Sequence, residues 1–569
     1  MSERPDPVLQ EILASAFRHI AEEMAVVEYR SSYSPIIREM LDFNCGLFAA
    51  DGRAIANSEQ IPAQLGLMQF ALEAVIAKHG ERVHAGDAFI TNHPYMGGTH
   101  TPDLQVFTPV FAGEALVAWT GSIAHHIDIG GRFPGTESAQ TTELYQEGLI
   151  FPAIRLVDRG ERVAAVYELV AANVRDPAAT LGDLDAQIAS CRRGALRIGE
   201  LVERHGLDLV LGGMEAVVEQ TARRTEALFR SWPDRAVEAE GFLDDIGFEG
   251  TDPVRVHARL AVEDGTLVVD LSGSSAQIPS GMNVPLASSH AAAYFAVRCF
   301  LGGDVPHNAG LASRVRVIAP EGSLFNPVFP TALSARHLAV QRLTDVIIDA
   351  LSDLLPEHAI AGSQVSFPSF VLQAVDPRTG ELSLLVDILG GGGGARPGHP
   401  GDDGIDPYTS NCAILPVEIA ELEYPFVVER SELIEGSGGA GHQRGGMGIR
   451  RDYRLLADEA DGMYYVEQTD PRFGARGRDG GEPGRPGRAA LRDGATGEER
   501  PLPGKGYLRI RRGDTLILEG DQEAFGFHAP ESGPRGRRLR GRRRPEAAAA
   551  GALADQGVAP ADPQVGRGG

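Results

Sequence analysis

The chain has 569 residues, 43% of them hydrophobic and 23% charged, with a formal net charge of −25. That length supports a large buried core and more than one structural unit, and the composition is ordinary for a globular protein. The acidic balance argues against a nucleic-acid binder, whose phosphate affinity needs clustered Lys and Arg, and no run approaches the ~18 apolar residues of a membrane-spanning helix. Cys45, Cys191, Cys299 and Cys412 are far apart and form no C-x-x-C pair, which fits reduced thiols. No apolar run follows basic residues near Met1, so no secretory leader is read and the cytoplasm is the expected address.

The first element is a helix. Asp6 suits the N-cap and Pro7 the first helical position, where a missing N–H costs nothing. Leu9, Leu13, Phe17, Ile20 and Met24 then recur at three- and four-residue steps and make one apolar face. Residues 42–48 and 54–56 around Ala50-Asp51-Gly52 read as a β-hairpin. A helix is expected over 66–79 and a strand over 88–91, followed by a second hairpin, 104–110 and 115–123, turning at Ala112-Gly113-Glu114. Residues 160–235 are mostly helical by pattern, 256–260 and 267–271 are strands, and 338–354 is a strongly apolar helix. Glycine-rich loops between strands follow Gly390. The expected fold is α+β: a large multi-layer body of helices and mostly antiparallel strands over residues 1–530. The Arg-rich, then Ala/Gly/Pro-rich tail 531–569 cannot bury enough apolar area to offset chain entropy and is expected to be disordered.

The chemistry concentrates between Asn92 and Arg132, where His93, His100, His125 and His126 stand with Asp103 and Asp128, and His84 lies just before. Imidazole with carboxylate suits borderline or hard divalent ions such as Zn, Mn or Fe(II). If the second hairpin folds about Gly113 and Glu114, the position opposite Asp103 is His125, give or take one residue. The same register is expected to bring Asp128 near His100. His100, Asp103 and His125 are therefore the expected metal ligands, with open coordination positions. His126 and Asp128 are the expected catalytic or ligand-orienting groups. The alternative is a set of polar loop groups or a buried His–Asp pair.

The motif Asn92-x-Pro94-Tyr95-x-Gly97-Gly98-Thr99-His100-x-Pro102-Asp103, with His125-His126-x-Asp128-x-Gly130-Gly131, resembles the hydantoinase B/oxoprolinase family. Leu41-Asp42-Phe43-x-Cys45, Ile61-Pro62-x-x-Leu65-Gly66, Glu147-Gly148-Leu149, Gly394-Ala395-Arg396-Pro397 and the glycine-rich Ser437 to Gly448 carry the same resemblance, which spans about residues 7–456. It implies ligation by His100, Asp103 and His125 and the ATP-dependent opening of a cyclic amide of hydantoin or 5-oxoproline type. It also implies a hetero-oligomer with a hydantoinase A-type subunit that binds ATP and phosphorylates a carbonyl-derived oxygen. This chain shows no phosphate-binding loop of the G-x-x-x-x-G-K-[ST] kind, in agreement. An α-type subunit of an acetone or acetophenone carboxylase and a non-catalytic assembly subunit are the alternatives. The chain departs from the pattern at Gln64, often His in the family, at His93, often Asp, and at 407–412 and 520–526.

One further motif bears on cofactors. Gly390 to Gly394, with Gly391 and Gly392 central and Arg396 adding charge, could let backbone N–H groups approach a phosphate; a flexible turn is the competing reading. Cys45 reads as a packed small residue rather than a nucleophile.

Overall fold

The computed structural model describes residues 5–248, 250–303 and 305–520. The expected disordered tail 531–569 and most of the departing stretch 520–526 lie outside the described residues. The described residues form four sheets with helices packed between and around them, mixed α+β with antiparallel pairing throughout except for one parallel pair, Thr266–Asp270 with Val315–Ile318.

The first sheet carries the Asn92–Arg132 stretch. Its strands are β1 (Phe43–Ala49), β2 (Ala54–Asn57), β3 (Ala88–Thr91), β4 (Asp103–Ala112), β5 (Ala115–His125), β6 (Ile154–Asp158) and β7 (Glu161–Arg162), in the order β2-β1-β5-β4-β3-β6-β7. Both long strands are buried along nearly their whole length because helices cover both faces. On one side lie the helices Pro7–Ser31 and Pro177–His205, which bury Leu13, Phe17, Ile20, Met24, Leu184 and Ile188. The first is capped as its sequence predicts, with Asp6 accepting from the N–H groups of Val8 and Leu9 at 2.9 and 3.1 Å. On the other side the helix Met68–His79 packs Met68, Leu72 and Val75 against Phe48, Phe89, Phe107 and Trp119. This helix starts two residues later than expected, since Gly66 sits at φ +75° and cannot continue a helix.

The apolar helix expected over 338–354 extends back to Arg336 and ends at Leu354. Together with the helix Leu286–Leu301 it covers a four-stranded sheet made by Val237–Leu243, Val254–Glu263, Thr266–Asp270 and Val315–Ile318. The remaining strands form two antiparallel sheets. In the third sheet Leu382–Ile388, Ser369–Val375, Glu459–Tyr465 and Lys505–Arg511 are neighbours in that order. Among the described residues, no helix is long and apolar enough to cross a membrane.

Candidate metal centre

The β4–β5 hairpin turns at Gly113 (φ +63°), and Ala112 pairs with Ala115. Continued without interruption, that pairing would set Asp103 opposite Ala124. A bulge intervenes: Phe111 pairs with Leu116 but Val110 pairs with Ala118, leaving Val117 as an extra residue in β5. The one-residue shift brings His125 opposite Asp103 and turns its side chain to the same face. The His125 N–H also donates to the Asp42 carbonyl at 3.0 Å, which draws the start of β1 to the same place.

His100 arrives from the loop before β4. Asn92 staples that loop, its amide donating to the carbonyls of Thr101 (2.7 Å) and Leu149 (2.9 Å) while its oxygen accepts from the Phe151 N–H (2.7 Å). The buried Glu147 carboxylate accepts from the N–H groups of Leu333 and Ser334, and the Ser334 carbonyl accepts from His100 Nδ1 at 2.7 Å. A ring that donates from Nδ1 carries its lone pair on Nε2, the tautomer a metal ligand needs. That Nε2 lies 3.1 Å from Asp103 Oδ1, and His125 Nδ1 lies 3.0 Å from the same oxygen. Asp103 Oδ2 accepts from Arg336 at 2.7 Å and from the Thr99 hydroxyl. The ligand atoms of His100, Asp103 and His125 all lie within 4.8 Å of one another, and all three residues are buried. Two imidazoles and a carboxylate converging on one point can hold a divalent ion with positions left open.

A cavity opens beside the three. Asp42, Gln64, Glu137, Arg336 and His337 line it, and the remainder is mostly apolar with a few neutral polar groups such as Gln341, Thr409 and Ser410. Burial alone would raise Asp103, but His100, His125 and Arg336 hold its carboxyl well below the usual carboxylate range. Burial opposes the charged form of His125, yet Asp103, Glu137 and Asp42 around it push its pKa up to about 9. Burial brings His100 down to about 4. Asp42 and Glu137 are raised by burial to about 6 and about 7. Gln64 donates to Asp42 at 2.8 Å, so the position where the family often has His is engaged with a carboxylate of this cavity.

Other residues singled out from the sequence are placed elsewhere. One position past His125, the His126 ring turns to the opposite face of β5 and meets Gln187 Oε1 at 3.0 Å. Asp128 is not brought to His100. Its oxygens accept from the N–H groups of Gly130, Gly135 and Arg175 and from the Arg175 guanidinium, which organises the Gly130–Gly135 loop. His93 accepts from the Tyr95 N–H and packs beside Phe329, and the His84 N–H donates to Asp87.

The glycine run after Ile388 is buried rather than poised for a ligand. The N–H groups of Gly391, Gly393 and Gly394 donate to the Ile405 carbonyl, the Asp402 carbonyl and Ser363 Oγ. A Cβ on Gly391 would fall 1.3 Å from Gln364 Oε1, which accounts for that glycine by close packing. Arg396 is exposed and 3.5 Å from Asp402, and Gly391, Gly392 and Arg396 do not line the cavity beside the triad. The loop is held by Ser437–Gly448 through Gly401 N–H to Arg444 O and Gly404 N–H to Met447 O, a structural interlock.

Glu137, Arg336 and His337 were not singled out from the sequence. Arg336 and His337 open a helix whose remaining positions are mostly apolar and buried, and charge on a buried helix face is the one local sign that marked them. Glu137 sits in a loop with no pattern to distinguish it.

The fold and the converging His100, Asp103 and His125 define a class: an α+β protein with a candidate two-histidine, one-carboxylate metal centre. A family model described as hydantoinase B/oxoprolinase matches residues 6–521. The chain is 32% identical over 533 residues to a Pseudomonas sp. protein named as the B component of a D-/L-hydantoinase, covering 90% of this chain and 89% of that one. It is 31% identical over 538 residues to a 5-oxoprolinase of Pestalotiopsis fici, covering 91% of this chain but only 41% of that longer protein. The crystal structure of the ATP-dependent caprolactamase from Pseudomonas jessenii matches with a TM-score of 0.85 at 26% identity, covering 92% of each chain. The chain belongs to the hydantoinase B/oxoprolinase family.

Proposed function

We propose that this chain is the metal-carrying component of an ATP-dependent amidohydrolase that opens a cyclic amide, acting with a hydantoinase A-type component that binds ATP. The convergence of His100 Nε2, Asp103 and His125 within 4.8 Å, in a chain of this family, carries the reading. The donor set fits Zn, Mn or Fe(II), and a bound divalent ion would supply Lewis-acid polarisation of the amide-derived oxygen or of water. The Ser334 carbonyl keeps His100 in the right tautomer, and Arg336 with Thr99 holds one Asp103 oxygen so that the other faces the two imidazoles. Glu137 and Asp42, raised by burial to about 7 and about 6, are the cavity groups able to take and return a proton near neutral pH. They suit that task better than His126, whose Nε2 meets Gln187, and Asp128, whose carboxylate is held by Arg175, because neither of these lines the cavity.

The division of labour follows the relatives' names. One is named as a single component of a hydantoinase, and the 5-oxoprolinase is more than twice the length matched here. Replacing His100 or His125 by Ala is expected to abolish both bound metal and amide-dependent ATP turnover in the reconstituted complex. Full metal occupancy in both variants would refute the assignment.

A further inference from the structure

The cavity's second wall is apolar. The strands Ser369–Val375 and Leu382–Ile388 pair with Val371 opposite Val386 and Ser369 opposite Ile388, so these four share one face of the pleat. That face lines the cavity. Asp387, between Val386 and Ile388, points to the other face, where it accepts from Arg451 at 2.8 Å and from Tyr453 at 2.5 Å. The helix adds Val340, one turn beyond Arg336, Phe367 and Ile61 extend the apolar surface, and Gln341, Thr409 and Ser410 are polar but uncharged parts of the lining.

Charge is distributed one way only. Among the described residues, Asp42, Asp103 and Glu137 line the cavity against a single guanidinium, Arg336, which already pairs with Asp103 at 2.7 Å. Arg336 is thus already engaged, and the wall of Val371, Val386 and Ile388 offers no cation that could pair with a further carboxylate. Arg336 Nε lacks a partner among the described residues, but one N–H beside three carboxylates does not offset a further carboxylate. A buried anion without a matched cation is strongly disfavoured.

We propose that this cavity selects cyclic amides whose ring substituent is uncharged and apolar, and rejects those carrying a carboxylate, such as 5-oxoproline. The inference rests on the cyclic-amide reading above and narrows it. The reacting amide reaches the triad while the rest of the ring lies on the Val371–Val386–Ile388 wall, where a methyl or larger alkyl group gains contact and a carboxylate loses its water.

The matched probes are 5-methyl-2-pyrrolidinone and 5-oxoproline, which differ in the substituent alone, offered to the metal-loaded chain in complex with its ATP-binding component. The kcat/KM for 5-oxoproline is expected to be at least about 100-fold lower. In Val371→Lys, which places a cation on the wall, that ratio should narrow at least about tenfold, with bound metal confirming that the variant is folded. Comparable kcat/KM for the two compounds, or a metal-loaded Val371→Lys with an unchanged ratio, overturns the selectivity while the cyclic-amide reading stands. A complex that consumes ATP with neither these compounds nor any hydantoin overturns both.

Discussion

Replacing Glu28 by Gln tests how a buried carboxyl behind the hairpin that carries Asp103 and His125 is kept. Glu28 is fully buried near the end of the helix Pro7–Ser31. Its oxygens accept from Ser122 Oγ on β5 at 2.7 Å and from Cys45 Sγ on β1 at 3.2 Å, both neutral donors. Burial raises its pKa from an ordinary 4.5 to about 7, with hydrogen bonds from Ser122, Cys45 and Ser190 opposing the rise only in part. The folded state therefore holds this proton more tightly than the unfolded chain. Stability from the neutral carboxyl is fully present below pH 4.5 and is lost as pH rises to about 7. The rise from 4.5 to about 7, at about 1.36 kcal/mol per pH unit, amounts to ~3 kcal/mol. Gln keeps the shape and one acceptor and cannot ionise. Urea denaturation of the metal-free chain at pH 5 and pH 8.5 should show the wild type losing ~2.5 kcal/mol more than Glu28→Gln over that span, the unfolded carboxyl being already largely ionised at pH 5. At pH 8.5 the variant should be the more stable protein. Parallel pH profiles, or a variant less stable than wild type at pH 8.5, would refute the argument.

Metal uptake should release a proton, because His125, with its pKa pushed up to about 9 by the surrounding carboxylates, must give up its charge to act as a ligand. Calorimetry at pH 7.5 in buffers of different ionisation enthalpy is expected to return about one proton per ion, and a value near zero would contradict the ligand assignment. Arg336→Met leaves the buried Asp103 carboxylate without its guanidinium partner and should cost the metal-free protein ~3 kcal/mol, partly restored by a divalent ion; a loss below about 1 kcal/mol would mean the pair is not coupled. Gly97 sits at φ +89°, and a Cβ there would lie 2.4 Å from the Ala71 nitrogen. Gly97→Ala should therefore displace the loop carrying His100, with metal affinity falling on the order of tenfold even in the folded fraction; unchanged affinity would show that the loop adapts.

Local chemistry was enough to read the scaffold around the centre. The Asp6 cap, the Gly113 turn and the helical spacing through Met24 depend on neighbours within a few residues, so they are visible in a single chain. His100, Asp103 and His125 were legible for the same reason, since one loop and one hairpin carry all three. Which face His125 takes was not. The turn by itself places Ala124 opposite Asp103, and the extra residue Val117 moves the register by one. A pleat of period two converts that single step into a change of face, which is why the expectation could be stated only to within one residue and why His126 turns away to Gln187.

Tertiary structure alone decided the rest of the cavity. Arg336 and His337 stand more than 200 residues beyond Asp103, and Glu137 lies in a loop, so neither spacing nor periodicity links them to the triad. The apolar wall comes from a different sheet again. Asp128 looked close by counting, but four hydrogen-bond donors around Gly130–Gly135 and Arg175 satisfy it elsewhere. The sequence by itself specified the loop and hairpin that bring His100, Asp103 and His125 together, because these residues are neighbours along the chain. What surrounds the hairpin, and so what the centre can accept, depends on long-range packing of elements that carry no local mark of one another.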